Sequence, residues 1–154
     1  MGWVMDFKKI LVAVDASENS ARALAYVAEM VGGSKGFRVE LLHITRLPDK
    51  DLFQDEKSWD EQRLKQEQKA QEFLKEARAV LESKGVDPGA VSERGFCIMG
   101  HSIAENILEI QEEGGFGTVV VGRRGMSKAE EFLFGSVSSK IVQYAKHCAV
   151  WVVA

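Results

Sequence analysis

Five short strand-like runs punctuate the sequence, and the segments between them carry apolar residues at helical spacing. This alternation constrains the fold more than any other feature. The runs are KKILVAV (8–14), FRVELLHI (37–44), AVSERGFCIM (90–99), GTVVVG (117–122) and AVWVVA (149–154). The first is apolar without interruption, as expected of a strand covered on both faces. A βαβαβαβαβ order with short connections requires parallel strands and right-handed crossovers. The expectation is an α/β fold, a doubly wound, Rossmann-like five-stranded parallel sheet, in one domain over residues 1–154.

The intervening segments carry their own start and stop signals. In SENSARALAYVAEMVGG, Ala21, Leu24, Val27, Ala28 and Val31 form one stripe, Ser17 caps the start, and Gly32-Gly33 ends the helix. Residues 45–56 read as a surface loop. Lys57 to Lys84 reads as a helix whose first half, KSWDEQRLKQEQK, is almost wholly polar and expected to be solvated or frayed. Its second half aligns Ala70, Phe73, Leu74, Ala77, Val80 and Leu81 before Gly85. A capping box, Ser102 to Glu105, precedes IAENILEIQEE, which Gly114-Gly115 stops. The last helix is expected from Ser136 to His147 with Val137, Ile141, Tyr144 and Ala145 inward.

Charge and composition exclude several classes. A net charge of −3 and a pI near 5.7 leave no basic excess to neutralise a nucleic acid. No apolar run reaches the length of a membrane span. The stretch MGWVMDFKK is too short and too early-charged for a signal peptide, and Asp6 breaks a myristoylation pattern, so cytoplasmic residence is expected. Cys97 and Cys148 form no CxxC pair and are expected as buried free thiols. His43, His101 and His147 lack metal-ligand spacing.

In such a sheet ligands bind beyond the carboxyl ends of the strands, where the winding reverses. The strand ends to examine are Asp15, His43-Ile44 and Gly122. The last opens VVVGRRGMSKAEEFLFGSVSSK (119–140). Gly122 and Gly125 lack a Cβ, permitting positive φ and close approach of a polyanion to the main chain. Gly135 and Ser136 begin a helix, whose first turn offers unpaired N–H groups and a positive dipole end. Ser136, Ser138 and Ser139 add hydroxyls. No Walker Lys-Ser/Thr follows Gly122, no GxGxxG follows the first strand, and no aspartate ends the third. Read alone, the same residues serve equally well as turn glycines and a helix cap.

The spacing Gly122-x2-Gly125-x9-Gly135-Ser136 resembles the G-x2-G-x9-G-[S/T] signature of the ATP-binding universal stress proteins. KKILVAVDASENSARAL, VELLHI and GSVSSKIVQYAKHCAVWVV are similar to that family's opening, second and closing segments. The resemblance implies an adenine nucleotide alpha hydrolase-like fold of strand order 3-2-1-4-5, with ATP at the switch point between strands 1 and 4. Carried over by position, Asp15 meets the ribose, Ile44 the adenine edge through its backbone, and Ala13 and Val121 the base. Gly122, Gly125, Gly135, Ser136, Val137 and Ser138 surround the phosphates. Mg²⁺ is held chiefly by phosphates and water. ADP, AMP and cyclic AMP stand as alternative ligands.

Two departures stand out. Arg123-Arg124 replaces a common Ser-His, and two guanidinium groups either strengthen triphosphate binding or form an exposed basic loop. Ala149 replaces a common proline. The run AVWVVA has no charged or proline gatekeeper, which invites pairing with a second chain. The expected assembly is a homodimer through residues 149–153, acting on an unidentified protein partner. A regulatory nucleotide-binding protein is the first reading. A slow ATPase or phosphotransfer enzyme, drawing on Glu130, Glu131, His101 or Asp15, and a nucleotide-free interaction module are the alternatives.

Overall fold

The computed structural model describes residues 5–99, 102–124 and 135–154. Strands β1 (Asp6–Ala13), β2 (Arg38–Arg46), β3 (Val91–Ile98), β4 (Phe116–Gly122) and β5 (Ala149–Val153) alternate with helices α1 (Glu18–Val31), α2 (Glu56–Ser83), α3 (Ile103–Gly114) and α4 (Ser136–Tyr144). The sheet is wholly parallel, with order β3-β2-β1-β4-β5. Winding therefore reverses between β1 and β4, as expected.

Side-chain alternation along the inner strands divides the core between the two faces. Ile10 and Val12 of β1 and Val120 of β4 pack with α1 and α2 through Ala23, Val27, Leu74 and Leu81. Leu11, Val119 and Val121 face the other way, against Ile107, Ile110 and Ile141 of α3 and α4. Each such aliphatic side chain, removed from water, stabilises the fold by about 1.5–3 kcal/mol. Every residue of β4 from Phe116 to Val121 is buried, which accounts for its mostly apolar character; the one hydroxyl, Thr118, donates to the Phe7 carbonyl at 2.7 Å.

The helix ends follow local chemistry. Ser17 accepts from the Ser20 N–H and Ser102 from the Glu105 N–H, each a serine satisfying an orphan donor of the first turn. Gly115 leaves α3 with φ +67 and Gly85 follows α2 with φ +88, both left-handed positions open to glycine.

The structure corrects the sequence reading at several places. Ala21 is exposed and Ala23 takes its place in the core, because the buried stripe of α1 runs through 20, 23, 24, 27, 28 and 31. Val80 lies on the outer side of α2. Helix α4 ends at Tyr144, which is 61% exposed, and His147 turns the chain at φ 58 to enter β5. Both cysteines are free but only half-buried.

The polar half of α2 is not frayed. Asp55 accepts from the Ser58 N–H at 2.7 Å and starts one continuous helix. Trp59, only 8% exposed, donates its indole N–H to the Pro48 carbonyl at 3.1 Å, and Lys50 Nζ lies 4.6 Å from the ring centroid. One aromatic anchor and intrahelical pairs such as Arg63–Glu67 at 2.8 Å hold a segment that lacks an apolar stripe. No helix among the described residues is long and apolar enough to cross a membrane.

Candidate functional site

A cavity of about 630 Å³ opens at the carboxyl ends of β1, β2 and β4, at the point where the winding reverses. Its size falls within the range of small-molecule and cofactor sites. Three first turns line it: Ser17 and Ser20 of α1, Ser102 to Ala104 of α3, and Gly135 to Ser138 of α4. Each presents partly unsatisfied N–H groups and a positive dipole end, together a strongly anion-seeking arrangement. Arg46, Arg124 and Lys140 add cations to the lining, and Asp15 is its one carboxylate among the described residues. Leu42, Ile44, Ile103, Ile107, Val121 and Val137 supply apolar surface.

The wall formed by β1 and β2 carries a free backbone edge. The last β1–β2 bond runs from Val14 N to Leu42 O at 2.8 Å, while β2 continues beside β3 through Arg46. Backbone polar groups two residues apart on a strand point to the same side. Ile44, two past Leu42, therefore directs its N–H and C=O toward β1, beyond the point where β1 has ended. A planar heterocycle with a donor and an acceptor on one edge complements such a position.

The turn after β1 is fixed by side chains. Asp15 Oδ1 accepts from Ser17 N at 2.8 Å, and Asp15 N donates to Ser20 Oγ at 2.8 Å. His43 donates from Nδ1 to the Val14 carbonyl at 2.8 Å and packs on Phe73. One Asp15 oxygen is thus engaged with the backbone and the other is left for a hydroxyl donor.

Most residues singled out from the sequence meet here: Ala13, Asp15, Ile44, Val121, Gly122, Arg124, Gly135, Ser136, Val137 and Ser138 all line the cavity. Gly125 lies outside the described residues, as do His101, Glu130 and Glu131. Three expectations change. Arg123 does not line the cavity; its N–H donates to Val153 O at 2.7 Å and its carbonyl accepts from Gly135 N at 2.7 Å. Ser138 gives its hydroxyl proton to that same carbonyl, so its donor is committed to the protein. Gly122 owes its identity to packing: a Cβ there would lie 2.7 Å from the Asn19 carbonyl carbon and 2.8 Å from Ser20 N. The first turn of α1 thus leaves no room for a side chain.

Sequence reasoning missed Lys140, Arg46 and Gln66. Lys140 was findable, since it stands four residues after Ser136 and so shares its helix face. Arg46 falls in the segment 45–56 expected as a loop, whose first two residues instead end β2. Gln66 lies in a polar helical stretch with nothing to set it apart.

Comparison with known proteins agrees with this geometry. Residues 6–154 match the sequence profile of the Universal stress protein family. Universal stress protein YxiE of Bacillus subtilis (strain 168) is 30% identical over 154 residues, covering 96% of this chain and 99% of its own. The structure of hypothetical protein MJ0577 superposes with a TM-score of 0.79 at 27% identity, covering 97% of this chain and 96% of that one. An Archaeoglobus fulgidus universal stress protein solved in complex with dAMP gives a TM-score of 0.63 at 22% identity, covering 99% and 100% of the two chains. Another universal stress protein, solved in complex with cAMP, gives 0.65 at 18% identity, covering 96% of each chain. A profile match over nearly all of the chain, a curated relative matched end to end and the 3-2-1-4-5 parallel sheet agree: the chain belongs to the universal stress protein family.

Proposed function

We propose that this chain binds an adenine nucleotide, ATP in the first place, at the β1/β4 switch point, and acts as a nucleotide-dependent regulatory protein built on one domain. The observation that carries the reading is the convergence of three helix first turns and three cationic side chains on one cavity, opposite a free backbone edge at Ile44. Relatives solved with dAMP and cAMP support an adenine nucleotide in this fold. The base lies between Ala13, Val121 and the Ile44 edge, the ribose against the unengaged oxygen of Asp15, and the phosphates at Gly122, Gly135, Ser136 and Val137. Ser138 contributes by shaping α4. The donor set fits a polyphosphate: Arg124 Nε is buried with no hydrogen-bond partner. Mg²⁺ would take its ligands from phosphates and water.

The cavity is better equipped to hold a nucleotide than to cleave one. Hydrolysis requires a group that orients or deprotonates water near the last phosphate. The bases among the described lining residues are Asp15 and His43, and both are hydrogen-bonded to the turn after β1.

The proposed assembly is a homodimer through residues 149–153. β5 hydrogen-bonds β4 on one side, and all five of its residues are half-buried. Exposed Tyr26 of α1 packs edge-on against Trp151 of β5, with ring centroids 5.7 Å apart, and adds apolar surface beside the strand.

Mass spectrometry and the ultraviolet spectrum of the purified protein test the nucleotide reading. Carried-over adenine nucleotide is expected in the native chain and its loss in Gly135→Val, where a side chain enters the phosphate position. A folded Gly135→Val variant retaining the nucleotide in full would place the phosphates elsewhere.

A further inference from the structure

We propose that Arg124 and Lys140 set the number of phosphates the site accepts, acting as a pair of cations for the phosphates beyond the first. The inference rests on the nucleotide reading above and extends it to selectivity.

The two side chains come from opposite ends of the glycine segment and meet the same cavity. Arg124 leaves β4 from a fixed position. Its neighbour Arg123 is tied to β5 through Val153 and to α4 through Gly135, and the Arg124 carbonyl accepts the Ser17 hydroxyl at 3.4 Å. The guanidinium stem is therefore anchored between the starts of α1 and α4. Its Nε is buried and has no hydrogen-bond partner, an arrangement that costs free energy unless an acceptor arrives. Lys140 stands one turn beyond Ser136 on the same helix face, is exposed and lines the cavity beside the start of α4.

Charge balance supports selectivity. A nucleoside monophosphate brings about −2. The first turns of α1, α3 and α4 supply roughly +0.5 each, about +1.5 in all, which Asp15 lowers further, so they leave no surplus for a second or third phosphate. Arg124 and Lys140 raise the positive charge by two, matching the increment from one phosphate to two or three. Arg46, beyond β1 at the end of β2, stands at the other wall of the cavity and takes no part in this contrast. Without the pair the site would hold a monophosphate as well as a triphosphate; with it, each added phosphate gains a charge-assisted partner.

Calorimetric titration with ATP, ADP and AMP at fixed Mg²⁺ tests this in the full chain, using the native protein, Arg124→Gln, Lys140→Gln and the double variant. Each substitution is expected to weaken ATP binding about tenfold or more, with ADP affected less and AMP unchanged. Lys140→Glu, at an exposed position that spares the fold, is expected to weaken ATP further than Lys140→Gln. Equal losses for ATP and AMP, or no loss for ATP in folded variants, would overturn the inference while leaving the nucleotide reading intact. A native protein that binds none of the three would overturn both.

Discussion

Ser138 donates its hydroxyl to the Arg123 carbonyl across 2.5 Å, joining the two ends of the segment that separates β4 from α4. Gly135 N donates to the same oxygen, so one carbonyl seats the start of a helix. Ser138 is buried and Ser136 is exposed, which divides labour between two neighbouring serines. Ser138→Ala is expected to lower stability by about 1 kcal/mol, read from denaturant melts, with any loss of nucleotide affinity following from the displaced helix. Ser136→Ala is expected to leave the melt unchanged and to weaken nucleotide binding.

Gly122 provides a test of packing against ligand contact. Gly122→Ala drives a methyl group into the backbone of Asn19 and Ser20, and neither can move without shifting the first turn of α1. A loss of about 1–3 kcal/mol is expected in the absence of any nucleotide. A variant as stable as the parent protein would assign this glycine to the ligand instead.

The fold was legible in the sequence because its strands and helices differ in period and its helices begin and end with local chemistry. Ser17, Ser102, Gly85 and Gly115 each act where their side chains, or lack of them, dictate. Ala21 and Tyr144 lie outside the core; a stripe of apolar residues fixes a helix phase only to within a residue or two. The order of the polar half of α2 leaves no trace in the sequence because one aromatic anchor, Trp59, replaces a stripe, and a single buried residue has no period. The candidate site was legible at strand ends and glycines. It was obscure wherever identity depends on a distant neighbour: Gly122 against Asn19, or the Arg123 carbonyl serving α4.

Trp59 anchors the first turns of α2 through Pro48 and Lys50. Trp59→Ala is expected to cost about 3 kcal/mol and to raise hydrogen exchange of amides in the polar half of the helix, with β1 and β4 little changed. Uniform exchange across the whole chain would show that this segment has no separate anchor.

Asp55 makes the same helix start pH-dependent. Its carboxyl sits below the usual carboxylate range because it accepts hydrogen bonds from the backbone N–H of Ser58 and then from its hydroxyl, both of which favour the ionised form. The unfolded chain binds that proton more readily than the folded one, so the contribution is complete above the ordinary carboxylate pKa. It is lost as pH falls through the depressed folded value. Thermal melts between neutral and acid pH are expected to show a smaller acid-induced decline in Asp55→Ala than in the native chain. Parallel curves would remove Asp55 from the account.

The nucleotide site at the β1/β4 switch point is tested most directly by backbone amide chemical shifts on addition of Mg²⁺ and ATP. Saturable changes are expected at residues 13–17, 44–46, 121–124 and 135–140, with the outer strand β3 nearly silent before Phe96. Changes elsewhere on the surface, or none at millimolar ATP, would contradict it.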